Sequence, residues 1–318
     1  MEKSLSGIYL ALVPLVGALV TLMTGLNSRL SAGVGSLAAV LVIHAAGLVV
    51  ISVLLLATRE KRRPGRIPIF YYVGGVIGVG TVFSANYAFL ALGASTAVAV
   101  ALLGQTLFSV VVDATGLLGR TRYPLSARRL PGIALAVLGV LIMTGNWRLD
   151  APAMLAALAA GITPVLSFTF NSELGRRKGA LHSTLMNYIT GLATTAALGL
   201  IVLTASGPGA AGVAGAAVRA VMETGPILLL GGGTLGVCVV TAMNFIFPRV
   251  PAFSSTVLLY SGQALMGVAV DAVSSGAVDA RKLVGVLVLL LGLALNALLQ
   301  RGRQADEAAA KTAAGGGG

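Results

Sequence analysis

Charged residues, cysteine and histidine are all scarce in this sequence of 318 residues. Lysine, arginine, aspartate and glutamate together make up 10% of the chain, against about 25% in an average globular protein. A water-soluble surface needs more charge than this, so the composition excludes an ordinary soluble domain. The single cysteine, Cys238, excludes a disulfide framework and a cluster of thiolate metal ligands.

The sequence also lacks the motifs of catalysis and nucleotide binding. Its two histidines, His44 and His182, are far apart, and no His-Glu-x-x-His motif or Gly-x-Ser-x-Gly turn is present. The glycines of Gly75-x-x-Gly78 lie inside an apolar stretch, with no strand before them and no Lys-Ser/Thr after them, so they do not form a phosphate loop. We therefore expect no enzyme, no ATP-driven pump, and no metal or other cofactor.

What the sequence does contain is apolar residues, at 57% of the chain with a mean hydropathy of +0.94. Ten stretches of about 17 to 25 apolar residues recur, each long enough to cross a hydrocarbon layer as a helix. Alternating strands of a membrane barrel are absent from the pattern. The sequence predicts an all-α integral membrane protein with ten transmembrane helices, a count left open by one at two closely spaced pairs. The stretches are residues 7–26, 37–57, 69–92, 94–118, 130–147, 151–170, 181–205, 226–247, 252–276 and 283–300.

The formal net charge of +12 comes from basic residues spread between these stretches. Placing the N-terminus in the cytoplasm puts 17 of the 22 lysines and arginines on the cytoplasmic side, as the positive-inside rule requires. This distribution accounts for the charge without a nucleic-acid partner. We expect a multi-pass protein of the plasma or inner membrane with both termini cytoplasmic, surrounded by the lipid bilayer. A homodimer is left open.

The first half of the chain recurs in the second half. At an offset of 144, residues 27–48 align with residues 171–192 with eight identities in 22 positions. We predict a first repeat over residues 1–148, a second over 149–303, and a disordered cytoplasmic tail over 304–318, with the register shifts in loops, chiefly loop 206–225. The matched residues include Asn27 with Asn171, Gly74-Gly75 and Gly78 with Gly232-Gly233 and Gly236, Asn86 with Asn244, Gly104-Gln105 with Gly262-Gln263, and Asp113 with Asp271.

The number of predicted spans in each repeat is five, which is odd. The second repeat therefore enters the membrane from the opposite side. The sequence thus predicts two inverted five-helix repeats related by a pseudo-two-fold axis in the membrane plane, an architecture characteristic of alternating-access carriers.

These residues also support a family resemblance. An Asn after the first span, a Gly-Gly-x-x-Gly third span and a Gly-Gln followed by Asp on the fourth are found in each repeat. In this the chain resembles the drug/metabolite transporter (DMT) superfamily, most closely its YdcZ-like branch of inner-membrane exporters, over about residues 7–300. The resemblance implies an EamA-like fold and an exporter, and it implies no particular substrate.

Polar residues inside the predicted spans are the candidate functional groups, because buried polar groups in a membrane are costly. Asp113 and Asp271 are the carboxylates clearly within spans, and we predict that they exchange a proton during transport. The alternative is that each simply bonds backbone or a neighbouring arginine. Gln105 and Gln263 lie near the middle of their spans and are predicted to bind substrate, with interhelical bonding as the alternative.

Four further residues are weaker candidates for substrate binding. Asn86 and Asn244 lie nearer the ends of their spans, and His44 and Tyr188 occupy equivalent positions in the two repeats. Helix-to-helix bonding or packing explains all four equally well. Six glycines are predicted to let helices pack closely, namely Gly74, Gly75, Gly78, Gly232, Gly233 and Gly236. Asn27 and Asn171 mark the ends of spans, where capping is an adequate explanation.

The leading functional prediction is a secondary active transporter that exports or exchanges a small metabolite or drug, driven by a proton or substrate gradient. A non-transporting membrane protein, a channel and a lipid scramblase are the alternatives.

Glu173 precedes Arg176 and Arg177 by three and four residues, the spacing of a helix-surface ion pair, so these residues are assigned a structural role.

Overall fold

The apolar stretches form helices joined by short links in the computed structural model, which describes residues 2–61, 63, 65–115, 130–144, 150–246 and 252–315. All regular structure in these ranges is helical, with a 3-10 helix at Ile69–Val73 leading into the third α-helix and another at Gly207–Gly209. The α-helices are α1 (Glu2–Val34), α2 (Ser36–Thr58), α3 (Gly74–Leu92), α4 (Ala94–Thr115), α5 (Leu130–Thr144), α6 (Ala151–Lys178), α7 (Ala180–Ala205), α8 (Ala210–Glu223), α9 (Pro226–Ile246), α10 (Ala252–Ser275) and α11 (Ala280–Gly315).

Single glycines separate consecutive helices at equivalent places in the two halves. Gly35, between α1 and α2, has φ +84°, and Gly179, between α6 and α7, has φ +107°. A residue with a Cβ is strained in this region of φ, whereas glycine enters it at little cost. The chain therefore reverses direction at these two positions with a link of one residue.

Eight of the helices are long and apolar enough to cross a membrane. They are α1, α2, α3, α4, α6, α7, α9 and α10. The prediction of an all-α membrane fold is thereby confirmed, with eight candidate spans in the described part of the chain. Helix α5 is apolar but has only 15 residues, about 22 Å at 1.5 Å per residue, and neither α5 nor α11 is among the eight.

Segment 206–225 is not the loop that the sequence predicts. Helix α8 occupies most of it and packs against α7 and α1. Its Ala220 and Val221 contact an apolar cluster formed by Leu30, Val34 and residues of α2. Glycine-rich composition suggested a loop, but alanine and valine supply an apolar face, and burying that face against α1 stabilises the helix.

Helix α11 also differs from its prediction. It continues to Gly315, through residues for which the sequence predicts a disordered tail. Alanines 308–310 and 313–314 are strong helix formers and extend the last predicted span without a breaker.

The two halves of the chain pack with exchanged partners. Helix α1 of the first half contacts α9 and α10 of the second half. Its counterpart α6 contacts α3 and α4, which are the counterparts of α9 and α10 in the first half. Counterparts also meet directly, in the pairs α2 with α7, α4 with α10 and α5 with α11. The halves are therefore interleaved, and their interface runs through the centre of the bundle.

Glycines bring the backbones together at this interface. A Cβ on Gly161 would collide with the Ala101 carbonyl oxygen and lie 2.9 Å from the Gln105 nitrogen. A Cβ on Gly17 would meet the Leu259 carbonyl oxygen in the same way and lie 3.0 Å from the nitrogen of Gln263, the repeat counterpart of Gln105. Close packing against a glycine thus positions each of the two glutamines.

Candidate functional site

A cavity of about 210 Å³ lies among eight helices. Four come from the first half, α1, α2, α3 and α4, and four are their counterparts in the second half, α6, α7, α9 and α10. Helices α5 and α11 pack on each other, and none of their described side chains lines it. A concave site shared by two similar halves is a common location for ligand binding in transporters.

Gln105 and Gln263 both line this cavity from equivalent positions on α4 and α10. Neither side-chain amide forms a hydrogen bond in the described part of the chain, and both residues are half-buried. The Gln263 carbonyl accepts a hydrogen bond from Thr21 Oγ1 at 3.0 Å, which ties its backbone to α1. The two amides are therefore held by their backbones, with their donors and acceptors available in the cavity.

Asn86 lines the cavity from α3 and is 1% exposed. Neither its amide nitrogen nor its amide oxygen has a hydrogen-bond partner among the residues that the structure describes. Leaving such a group unpaired costs about 1 to 3 kcal/mol, so it requires an explanation. Its counterpart Asn244 is in α9, and the Asn244 side chain lies outside the described residues.

His44 and Tyr188 meet edge to face across the bundle, with ring centroids 5.9 Å apart. His44 Nδ1 donates to the Val40 carbonyl at 2.8 Å, and the Tyr188 hydroxyl donates to the Gly233 carbonyl at 3.3 Å. Both residues are 4% exposed and line the cavity. Their polar atoms are largely engaged, so this pair acts mainly as a wall that joins α2 to α7.

Asn27 and Asn171 lie about two turns before the ends of α1 and α6 and line the cavity, so the prediction that they mark the ends of spans and act as caps is wrong. Asn171 Nδ2 donates to Asn187 Oδ1 at 2.8 Å and to Ser167 Oγ at 3.3 Å. Asn27 Oδ1, in contrast, is buried without a partner. Their recurrence at equivalent places in both repeats was the available signal.

The predicted packing glycines divide into two groups. Gly74 lies against Asn171, and Gly232 lies against Asn27, so closely that a Cβ would collide with the asparagine side chain. Gly75 and Gly233 approach α7 and α2 respectively. The third glycine of each motif, Gly78 or Gly236, lines the cavity.

Over residues 8–142 and 152–295 the chain matches the family described as "Putative inner membrane exporter, YdcZ". The chain belongs to this family. It is a YdcZ-family member of the DMT superfamily, a multi-pass membrane protein in a family described as exporters. The two matched segments correspond to the two halves whose helices exchange partners.

Solved structures add information about the fold of this YdcZ-family chain. Eleven chains match it, and one, described only as "Crystal structure of protein", has a TM-score of 0.55 at 17% identity. That match covers 92% of this chain and 98% of the other. At this identity the likeness shows a shared fold alone. No curated protein matches the chain.

In this YdcZ-family chain, Asp271 lies away from the cavity and is bonded at one end of the bundle. Its Oδ1 accepts from the Ala94 nitrogen at 2.8 Å, and its Oδ2 accepts from the Ser95 nitrogen at 3.2 Å and from the Ser95 hydroxyl. Lys282 Nζ donates to Oδ2 at 2.6 Å. The carboxylate caps the start of α4 and joins it to α11, as the alternative of backbone bonding anticipates. The side chain of Asp113, its counterpart, lies outside the described residues.

No charged side chain lines the cavity among the described residues. Its polar groups are amides, hydroxyls and an imidazole, and most of its wall is apolar. An ion entering such a site loses hydration without gaining a counter-charge, at a cost of several kcal/mol.

Proposed function

We propose that this chain is a secondary active transporter that moves a small metabolite or drug through the shared cavity by alternating access. The observation that carries the proposal is that four helices of each half line that cavity, with Gln105 and Gln263 at equivalent positions on its wall. A site at the interface of two similar halves stays intact while the halves rock against each other.

The proposed mechanism uses two inverted five-helix repeats, with α5 and α11 completing ten spans and both termini in the cytoplasm. The exchanged contacts between the halves support a pseudo-two-fold relation, and an odd number of spans in each half would place that axis in the membrane plane. Rocking would open the cavity to one side and then to the other. Substrate released outside gives export, and substrate carried both ways gives exchange.

Asp271 is proposed to close the outer end and to couple that closure to a proton. Its carboxylate binds the start of α4 and the ammonium of Lys282. A proton on the carboxylate would remove the charge that both groups bind, and so would release the end of α10. Asp113 is proposed to act in the same way at the inner end, from its equivalent position in the repeat.

Counterflow in proteoliposomes tests the carrier proposal. Liposomes preloaded with a defined metabolite mixture are diluted into the same metabolites with isotope labels, and uptake is measured by mass spectrometry. A carrier transiently accumulates labelled substrate, whereas a channel only equilibrates it. The carrier proposal fails if no metabolite shows counterflow, and movement of a labelled lipid probe alone would identify a scramblase.

The same liposomes with and without a pH gradient test proton coupling. We expect the gradient to raise transport by the native chain and to have no effect on Asp271→Asn or Asp113→Asn. Asp279→Asn is the matched control, because Asp279 lies near the same end as Asp271 without bonding α4. Equal pH dependence in all four proteins would remove both aspartates from the coupling mechanism.

A further inference from the structure

We propose that the cavity selects uncharged small molecules that present a hydrogen-bond donor and acceptor side by side, as a primary amide does, on an apolar body. The inference rests on the proposed function, since the same cavity is the carrier's binding site. Asn27 and Asn86 are the residues that recognise the amide group.

Asn27 lacks the hydrogen bonds that its repeat counterpart makes. The Asn171 amide donates to Asn187 Oδ1 and to Ser167 Oγ, and it is 2% exposed. Asn27 is 3% exposed, yet its Oδ1 has no partner. The two asparagines lie at equivalent positions against equivalent glycines, yet Asn171 Nδ2 has two acceptors, whereas the Asn27 amide has no hydrogen bond in the described part of the chain.

The cause of this difference is in the sequence. With the repeat offset of 144, Asn187 corresponds to Ile43 and Ser167 corresponds to Met23. Both acceptors of Asn171 Nδ2 are thus apolar residues in the first half, so Asn27 Nδ2 lacks them, and both apolar residues line the cavity. Because an unpaired buried amide is costly, we infer that Asn27 Oδ1 accepts its hydrogen bond from the ligand.

Asn86 offers the ligand both a hydrogen-bond donor and an acceptor. Its Oδ1 and Nδ2 are both buried without a partner, and the residue lines the same cavity as Asn27. A planar group with a donor and an acceptor side by side can bond both atoms of a carboxamide at once. A single ether or hydroxyl oxygen cannot, because it does not present two such atoms. A primary amide has a second N–H that remains for Asn27.

The rest of the wall defines the body of the ligand. No Asp, Glu, Lys or Arg is among the described lining residues, so neither an anionic nor a cationic ligand would meet an opposite charge in the cavity. The cavity volume of about 210 Å³ limits the ligand to a small molecule. Apolar contacts are available from Phe89, Val98, Leu102, Phe168 and Leu259.

Three probes of nearly the same shape test the selection. Benzamide is neutral with an amide edge, benzoate is the anion and benzamidinium is the cation. Binding of each radiolabelled probe to the full chain in lipid nanodiscs is measured at equilibrium, with empty nanodiscs subtracted to remove partitioning into lipid. We expect saturable binding of benzamide alone. Absence of benzamide binding, or equal binding of either ion, overturns the proposal.

Alanine variants test the recognising residues. We expect Asn27→Ala and Asn86→Ala each to weaken benzamide binding about fivefold to tenfold, the loss of about one hydrogen bond. Asn296→Ala is the matched control, because Asn296 Oδ1 is also buried without a partner but Asn296 does not line the cavity. Native affinity in both test variants, with each shown to be folded by its thermal unfolding, overturns the assignment.

A converse variant does not depend on removing a side chain. Ile43→Asn restores in the first half the residue that satisfies Asn171 in the second, so Asn27 gains an internal partner. We expect Ile43→Asn to remain folded and to bind benzamide about fivefold more weakly, because the Asn27 amide would then donate to the new side chain and be held less freely for the ligand. Unchanged affinity in this variant contradicts the role of Asn27.

The experiments distinguish failure of the selectivity proposal from failure of the carrier proposal. Binding of benzamide with no counterflow of any metabolite leaves the selectivity intact and removes the carrier. Counterflow of a charged metabolite that benzamide does not inhibit leaves the carrier intact and removes this inference.

Discussion

Lys282 Nζ donates to Asp271 Oδ2 at 2.6 Å and so joins the start of α11 to α10 near its C-terminal end. The same carboxylate caps the start of α4 through Ala94 and Ser95, so three helices meet on one side chain. The Asp271 side chain is 15% exposed and that of Lys282 is 23% exposed. A bond network at one end of the bundle, away from the cavity, is suited to holding that end closed.

Replacing Asp271 should therefore weaken both stability and closure. We expect Asp271→Asn to lower the free energy of unfolding by about 1 to 3 kcal/mol, because charged hydrogen bonds are lost while their donors stay partly buried. Thermal unfolding of purified protein measures the change. Asp279→Asn, which removes a more exposed carboxylate, should change stability by less than about 1 kcal/mol. Equal losses in the two variants would contradict the assigned role of Asp271.

Locking the same end should stop transport. In a Cys238→Ser background, Ser95→Cys and Asp271→Cys place two thiols where the native side chains contact each other. A short bifunctional methanethiosulfonate reagent should cross-link them and abolish counterflow, and dithiothreitol should restore it. Each single-cysteine protein should show the same counterflow before and after treatment with the reagent. Full transport by the cross-linked protein would show that α4 and α10 need not separate at this end.

Close approach of α6 to α4 predicts a steric effect at Gly161. An added methyl would collide with the Ala101 carbonyl oxygen, which is backbone and cannot rotate away. We expect Gly161→Ala to destabilise the protein by about 1 to 3 kcal/mol. The control is Gly25→Ala, where nothing lies within 4 Å of the new atom, and where alanine should be neutral or slightly stabilising. Thermal unfolding distinguishes them, and a neutral Gly161→Ala would exclude this close contact.

The two cavity glutamines should contribute similarly to transport. Gln105→Ala and Gln263→Ala each remove an amide that has no internal partner, so the folded state loses little and the bound substrate loses about one hydrogen bond. We expect the transport efficiency to fall about threefold to tenfold in each. Ser109→Ala is the control, because its hydroxyl bonds only the Gln105 carbonyl in the described residues. Native transport by both glutamine variants would exclude these amides from the substrate site.

Local patterns were predictable wherever neighbours in sequence are the interacting partners. Apolar stretches predicted ten spans, and the described part of the chain has eight helices long and apolar enough to cross a membrane, since hydropathy acts within one helix. The spacing of Glu173 and Arg176 predicted an ion pair, which is present at 2.7 Å. Helix α8 was missed because its stability depends on burial against α1, a segment some 180 residues earlier in the chain.

Nonlocal features needed the tertiary structure. The partners of Asp271 are 11 residues away at Lys282 and 176 residues away at Ser95, so the sequence pattern could mark the carboxylate but could not assign its bonds. The position of Asn86 in the cavity wall and its lack of any partner likewise follow from packing between helices.

By itself, the sequence determined a membrane protein of repeated helices and placed matched polar residues in its two halves, because hydropathy and repetition are properties of the chain alone. The tertiary structure decided which of those residues face the shared cavity and which are already satisfied. Asn27 and Asn171 are matched in sequence, yet only Asn171 has its partners, because hydrogen bonding depends on the side chains that packing brings into reach.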